Sequence, residues 1–147
     1  MFKHILIPTD GSELSERAIR AGIELAAATG ARVTGFFAAP VPSPLVYREH
    51  LPVGYLPPDQ HEALIRTVSE KYLAVVKKAA TKAGVRVECT SVTNDFPADA
   101  ILEAVEVHRC DLIFMASHGH SGLVGRLLGS ETQKVLAQSN VPVLVYR

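Results

Sequence analysis

Several things are scarce in this chain, and each scarcity removes a class of function. There are two cysteines in 147 residues, Cys89 and Cys110. They form no CxxC pair and no Cys/His cluster, so a zinc ribbon or a dithiol redox centre is excluded. Both read as small buried hydrophobes, in keeping with a reducing compartment. Charge of either sign is not in excess, because 15 Lys+Arg balance 15 Asp+Glu. No basic field recruits nucleic acid, and no acidic tail is present. No apolar run approaches the roughly 18 residues of a membrane span. The opening MFKHILIPTDG meets a turn after a short apolar run, unlike a signal peptide. Internal repeats and low-complexity segments are absent, as are the Walker A, GxGxxG and GxSxG patterns. The expectation is a cytoplasmic protein without a membrane or nucleic-acid partner.

What remains is the composition of a globular protein, 48% apolar and 20% charged. Its length suits one domain, 1–147. Short apolar runs alternate with longer amphipathic segments. HILIP at 4–8 reads as a buried strand. Residues 12–29 read as a helix, with Ser12 as N-cap, Glu13 and Glu16 in the first turn and Gly30 as the stop. ARVTGFFAA supplies a second strand. Residues 40–58 hold Pro40, Pro42, Pro44, Pro52, Pro57 and Pro58 and read as an internal linker, where Tyr47 and Tyr55 could form a lid. Asp59 and Glu62 then suggest a capping box, and Leu64, Val68, Tyr72, Val75, Val76 and Ala79 recur at helical spacing up to Gly84.

VRVECTSV at 85–92 alternates apolar and polar, which predicts a half-exposed strand at a sheet edge. A short helix follows Pro97. DLIFMA at 111–116 is a fourth, wholly buried strand. A helix over about 130–138 precedes a fifth strand in VPVLVYR. Strand–helix alternation with continuous apolar strands predicts an α/β fold, an open five-stranded parallel sheet with helices on both faces. The strand ends richest in site-like residues are PTDGS and ASHGHSG. If the first and fourth strands are central neighbours, the order is 3-2-1-4-5 and a ligand lies between them.

The fourth strand runs into Gly119, Gly122, Gly125 and Gly129. Glycines let backbone amides approach an anion and permit positive φ. A helix beginning at Gly129-Ser130 adds free N–H donors and the positive end of a dipole. Strand, glycine loop and helix start together suit a phosphate chain.

HILIPTDGSELSERAI, DLIFMASHG, GRLLGSETQKVL and VPVLVYR resemble the universal stress protein family from end to end. That resemblance implies an adenine nucleotide alpha-hydrolase-like fold and the nucleotide motif G-2x-G-9x-G-S/T, matched here by Ala116, Gly119 and Gly129-Ser130. It implies ATP or AMP as ligand, possibly with Mg²⁺. Pro8, Thr9, Phe37 and Ala38 would contact the base, and Met115 and Ala116 the sugar and base side. Asp10 would meet the ribose or a nucleotide-bound Mg²⁺. The Gly119 and His120 amides would hold inner phosphates, with His118 beside them. Gly129, Ser130, Glu131 and Thr132 would hold the outer ones. A homodimer through strand 142–146 is also implied, since pairing would cover that edge.

Two positions depart from the pattern. Ala116 replaces the first glycine, which costs about 1 kcal/mol if φ is positive there and little at an extended strand end. His120 stands where Arg or Lys is common, which favours AMP or ADP over ATP. Asp10 could instead form an Asx-turn, and Ser130 could cap its helix while touching phosphate. Arg126 could neutralise phosphate or face solvent. A Ser117–His118–Asp10 triad is disfavoured, because neighbours on a strand point to opposite faces. No catalytic residue is assigned. The expected function is a stress-linked regulator acting on an unknown protein partner. The alternatives are a nucleotide-free dimeric interaction module and a weak ATPase.

Overall fold

HILIP forms strand β1 (His4–Pro8), and its alternation decides what packs on each face. Ile5 and Ile7 point to one side and Leu6 to the other, all fully buried. In this computed structural model, which describes residues 1–41, 58–120 and 127–147, the other strands are β2 (Arg32–Ala39), β3 (Val87–Thr93), β4 (Leu112–Ala116) and β5 (Val143–Tyr146). They lie side by side in the order β3-β2-β1-β4-β5, and every pairing is parallel. The expected order is therefore observed, with β1 and β4 as central neighbours.

Helices α1 (Glu13–Thr29) and α2 (Pro58–Lys82) cover one face. There Ile19, Ile23, Val76 and Ala80 meet Ile5, Ile7, Val33 and Phe114. Helices α3 (Pro97–His108) and α4 (Ser130–Gln138) cover the other, where Ile101, Val105 and Val135 meet Leu6, Phe36, Ile113 and Met115. Burying each such side chain contributes roughly 1.5–3 kcal/mol, so both faces share the core.

The helix ends follow their sequence signals, with two corrections. Ser12 caps α1 by accepting the Ser15 amide at 3.2 Å, and Gly30 closes it in the left-handed region at φ 73°. Asp59 is not the cap of α2, because the helix already begins at Pro58 and Asp59 lies in its first turn. Proline suits that first position, since its missing N–H would have no helical partner. Ser130 is likewise not a cap: Gly129 holds the N-cap position of α4 without a side-chain bond, and Ser130 is the first helical residue.

Two polar contacts organise the amino end of the sheet. Asp111 accepts the backbone N–H groups of Lys3 and His4 at 2.9 and 3.0 Å, while its own amide donates to the His4 carbonyl. The buried His4 ring bonds through Nε2 to Thr34 Oγ1 at 2.7 Å. Burial holds its pKa below the usual histidine value, and the Arg32 charge adds to that. The prolines within 42–57, Tyr47, Tyr55, Gly122, Gly125 and Arg126 lie outside the described residues. Among the described residues no helix is long and apolar enough to cross a membrane.

Candidate functional site

At the carboxyl ends of β1, β2 and β4 lies a cavity of about 420 Å³. Every residue expected at the site lines it. Pro8, Thr9 and Asp10 come from β1 and its turn, Phe37 and Ala38 from β2. Met115, Ala116, His118, Gly119 and His120 come from β4 and the loop after it, and Gly129, Ser130, Glu131 and Thr132 from the start of α4. The topology brings them together because β1 and β4 are neighbours whose connections leave in opposite directions. An open parallel sheet offers a crevice at that reversal.

Ala116 is tolerated without strain. It is the last residue of β4, buried, and Arg109 is the one described non-glycine residue with positive φ. Gly119 also lacks positive φ, so it is not there for a left-handed turn. Its need for glycine is spatial. A Cβ there would fall on the Asp10 carboxylate.

Asp10 bridges the two halves of the site. Its Oδ1 accepts the Ser12 amide at 3.0 Å, an Asx-turn, and its Oδ2 accepts the His120 amide at 2.9 Å. Burial alone would raise this carboxyl's pKa, but the Ser12 and His120 bonds outweigh it and the net shift is downward. Asp10 is thus held as a carboxylate on an amide expected to face inner phosphates. Both oxygens have protein donors, and no group of three His, Cys, Asp or Glu among the described residues could hold a metal ion.

The start of α4 is split between structural and open groups. Thr132 Oγ1 donates to the Ala116 carbonyl at 3.0 Å, and Glu131 accepts the Ala98 amide at 2.8 Å. The latter caps α3 from another helix, where Phe96 at the N-cap offers no side-chain bond. These two side chains are therefore committed to the fold. The backbone amides of Ser130, Glu131 and Thr132 differ, because a helix's first turn leaves its N–H groups without helical partners. They stand at the cavity's polar end.

Ser117 and His118 overturn an expectation. The strand ends at Ala116, so alternation no longer separates them, and Ser117 Oγ lies 3.2 Å from His118 Nδ1. Asp10 faces Ser12 and His120 instead, so the pair gains no carboxylate partner from it.

The remaining wall comes from residues that sequence reasoning missed. Ile65, Val68 and Tyr72 of α2 line the apolar end, with Tyr72 edge-to-face on Phe37 at 5.2 Å between ring centres. Helical spacing marked Val68 and Tyr72 as core and passed over Ile65, and only the approach of α2 to β2 makes the three a wall. Asn94, Asp95 and Pro97 line the opposite side, with Asp95 accepting the Val41 amide at 2.8 Å. An acidic residue before a helix-starting proline was the available signal.

An open parallel sheet with helices on both faces, and a mainly apolar cavity that meets a helix start at its reversal point, defines a class of α/β ligand-binding proteins. The universal stress protein family model matches residues 1–147, and the chain belongs to that family. The universal stress protein in the QAH/OAS sulfhydrylase 3′ region of Thermus aquaticus is 34% identical over 148 residues and covered in full by the match, as is this chain. The solved structure of the hypothetical protein MJ0577 of Methanocaldococcus jannaschii has a TM-score of 0.81 at 27% identity, over 99% of this chain and 96% of that one. A universal stress protein solved in complex with cAMP has a TM-score of 0.67 at 26% identity, over 99% of this chain and 97% of that one.

Proposed function

We propose that this protein is a regulator that binds an adenine nucleotide in the cavity between β1 and β4. One observation carries the reading: a single cavity joins an apolar wall to the first-turn amides of α4. Phe37, Ala38, Tyr72 and Met115 take the base and sugar. The Ser130–Thr132 amides take phosphate, aided by the helix dipole. A related structure holding cAMP supports an adenine ligand. Occupancy would alter a surface beside the cavity that a partner protein reads, in a stress-linked role in the cytoplasm. Dimerisation through β5 would cover a sheet edge whose Leu144 is exposed. Regulation is favoured over ATP hydrolysis because Asp10, the carboxylate beside the expected phosphates, is already held by the Ser12 and His120 amides.

Calorimetry with ATP, ADP, AMP and GTP, each with and without Mg²⁺, tests the reading. Binding of adenine nucleotides and not GTP is the expected result, and absence of heat at millimolar ligand would refute it. The Asp10–His120 bond favours a second reading, a nucleotide-free dimeric module, because the protein itself occupies one expected phosphate donor. Denaturing protein purified without added ligand and analysing it for released nucleotide separates the two.

A further inference from the structure

Strand β3 ends the sheet on one side, and it pairs with β2 in unbroken register from Val87 to Thr93. The N–H and C=O of one strand residue point the same way, and those of the next point the opposite way. Val33 donates to the Arg86 carbonyl and Asn94 to the Ala39 carbonyl, so the even-numbered residues of β3 face β2. Cys89, Ser91 and Thr93 therefore turn their backbone groups outward, and no described residue bonds to them. The strand has no proline, lysine or bulge, the devices that commonly close an edge to further pairing.

Helix α2 runs beside this edge. Between them lies an open groove of about 900 Å³, with Glu62, Arg66, Glu70 and Lys77 on the helix side and Cys89 and Ser91 on the strand side. Residues 62–77 of a helix rise about 22 Å, and seven strand residues span about 23 Å. The four charged side chains are exposed, and none forms an ion pair with another described residue. Glu62, Arg66 and Glu70 follow one another at about 6 Å along the helix. Every second residue of a strand advances by about 6.6 Å, so one face of an added strand would meet the three in turn.

We propose that this groove binds an extended segment of a partner protein as a sixth strand, with basic, acidic and basic residues at alternate positions facing Glu62, Arg66 and Glu70. Backbone pairing supplies affinity and the alternating charges supply selectivity. A second copy of the chain is disfavoured, because the two-fold axis that pairs β3 with β3 brings a second α2 onto the same face to compete for the groove. The proposal does not depend on nucleotide binding.

Fluorescence anisotropy of the labelled peptide TKVEVKT, titrated with the full chain, tests it. The peptide binds, and the charge-exchanged TEVKVET binds at least about tenfold more weakly. Of the two alternate sets of peptide amides, N-methylation of one weakens binding about tenfold or more and of the other little, the signature of strand pairing. Arg66→Glu weakens TKVEVKT about fivefold, and TKVKVKT recovers the loss. Saturating peptide slows maleimide labelling of the exposed Cys89 at least about fivefold. No saturable binding at millimolar peptide, equal binding of the two charge patterns, or unchanged labelling of Cys89 overturns the proposal. Self-association of the chain that Ser91→Pro abolishes identifies a second copy as the occupant and overturns it as well. So does peptide binding that begins only when residues 43–56 are replaced by a Gly-Ser linker.

Discussion

Replacing Gly119 with alanine adds one methyl group at a position whose backbone suits any residue, since its φ is not positive. The damage comes from the neighbour. The new Cβ would fall on Asp10 Oδ2, the atom that accepts the His120 amide at 2.9 Å. Asp10 must turn away, and a hydrogen bond to a charged acceptor is lost at a cost of roughly 1.5–3 kcal/mol. For a chain of this size each kcal/mol lowers Tm by about 3 °C, so calorimetric melting should fall by about 6 °C. The decisive test is a double-mutant cycle. Asp10→Ala is destabilising itself, but once the carboxylate is gone, adding Gly119→Ala changes stability by less than about 0.5 kcal/mol. The expected coupling is therefore about 2 kcal/mol. Additive losses would show that Gly119 is constrained by something other than Asp10, and this account of the glycine would be wrong.

Other outcomes follow from the same contacts. Glu131→Gln weakens the cap on α3 and lowers stability by about 1 kcal/mol in denaturant titration, with the difference shrinking in high salt. His4 has a folded pKa below its unfolded value, so the unfolded chain binds the extra proton. Stability is then lost as pH falls below about 6.5, and His4→Gln flattens that part of the stability–pH curve. Arg109 closes α3 in the left-handed region at φ 55°, and Arg109→Gly should raise stability by about 1 kcal/mol, read as a higher denaturant midpoint.

The strand order was legible because burial and function left different marks. After His4 and Asp111, ILIP and LIFMA are continuous apolar runs, as strands covered on both faces must be, whereas VRVECTSV alternates and lies at the edge as β3. Glycine, hydroxyl and acidic residues at two strand ends located the cavity. What the sequence hid were the choices made by individual polar groups. Asp10 could serve a ligand or a turn, and geometry commits it to Ser12 and His120. Glu131 and Thr132 carry the right chemistry for phosphate, yet long-range contacts give their side chains to Ala98 and Ala116. Tyr72 becomes a cavity wall only through tertiary approach, which helical periodicity does not encode.

Asp111 sits at the opposite end of β4 from the cavity, yet it governs how the cavity is assembled. By gripping two successive amides at the start of β1, it locks Ile5 opposite Leu112 and Leu6 opposite Ile113. A slip of one residue would invert every side chain of one strand. It would also carry Asp10 away from Gly119 by about 3.3 Å, the rise of a single strand residue. The alignment of the two ligand-facing loops is thus inherited from a carboxylate that never meets the ligand.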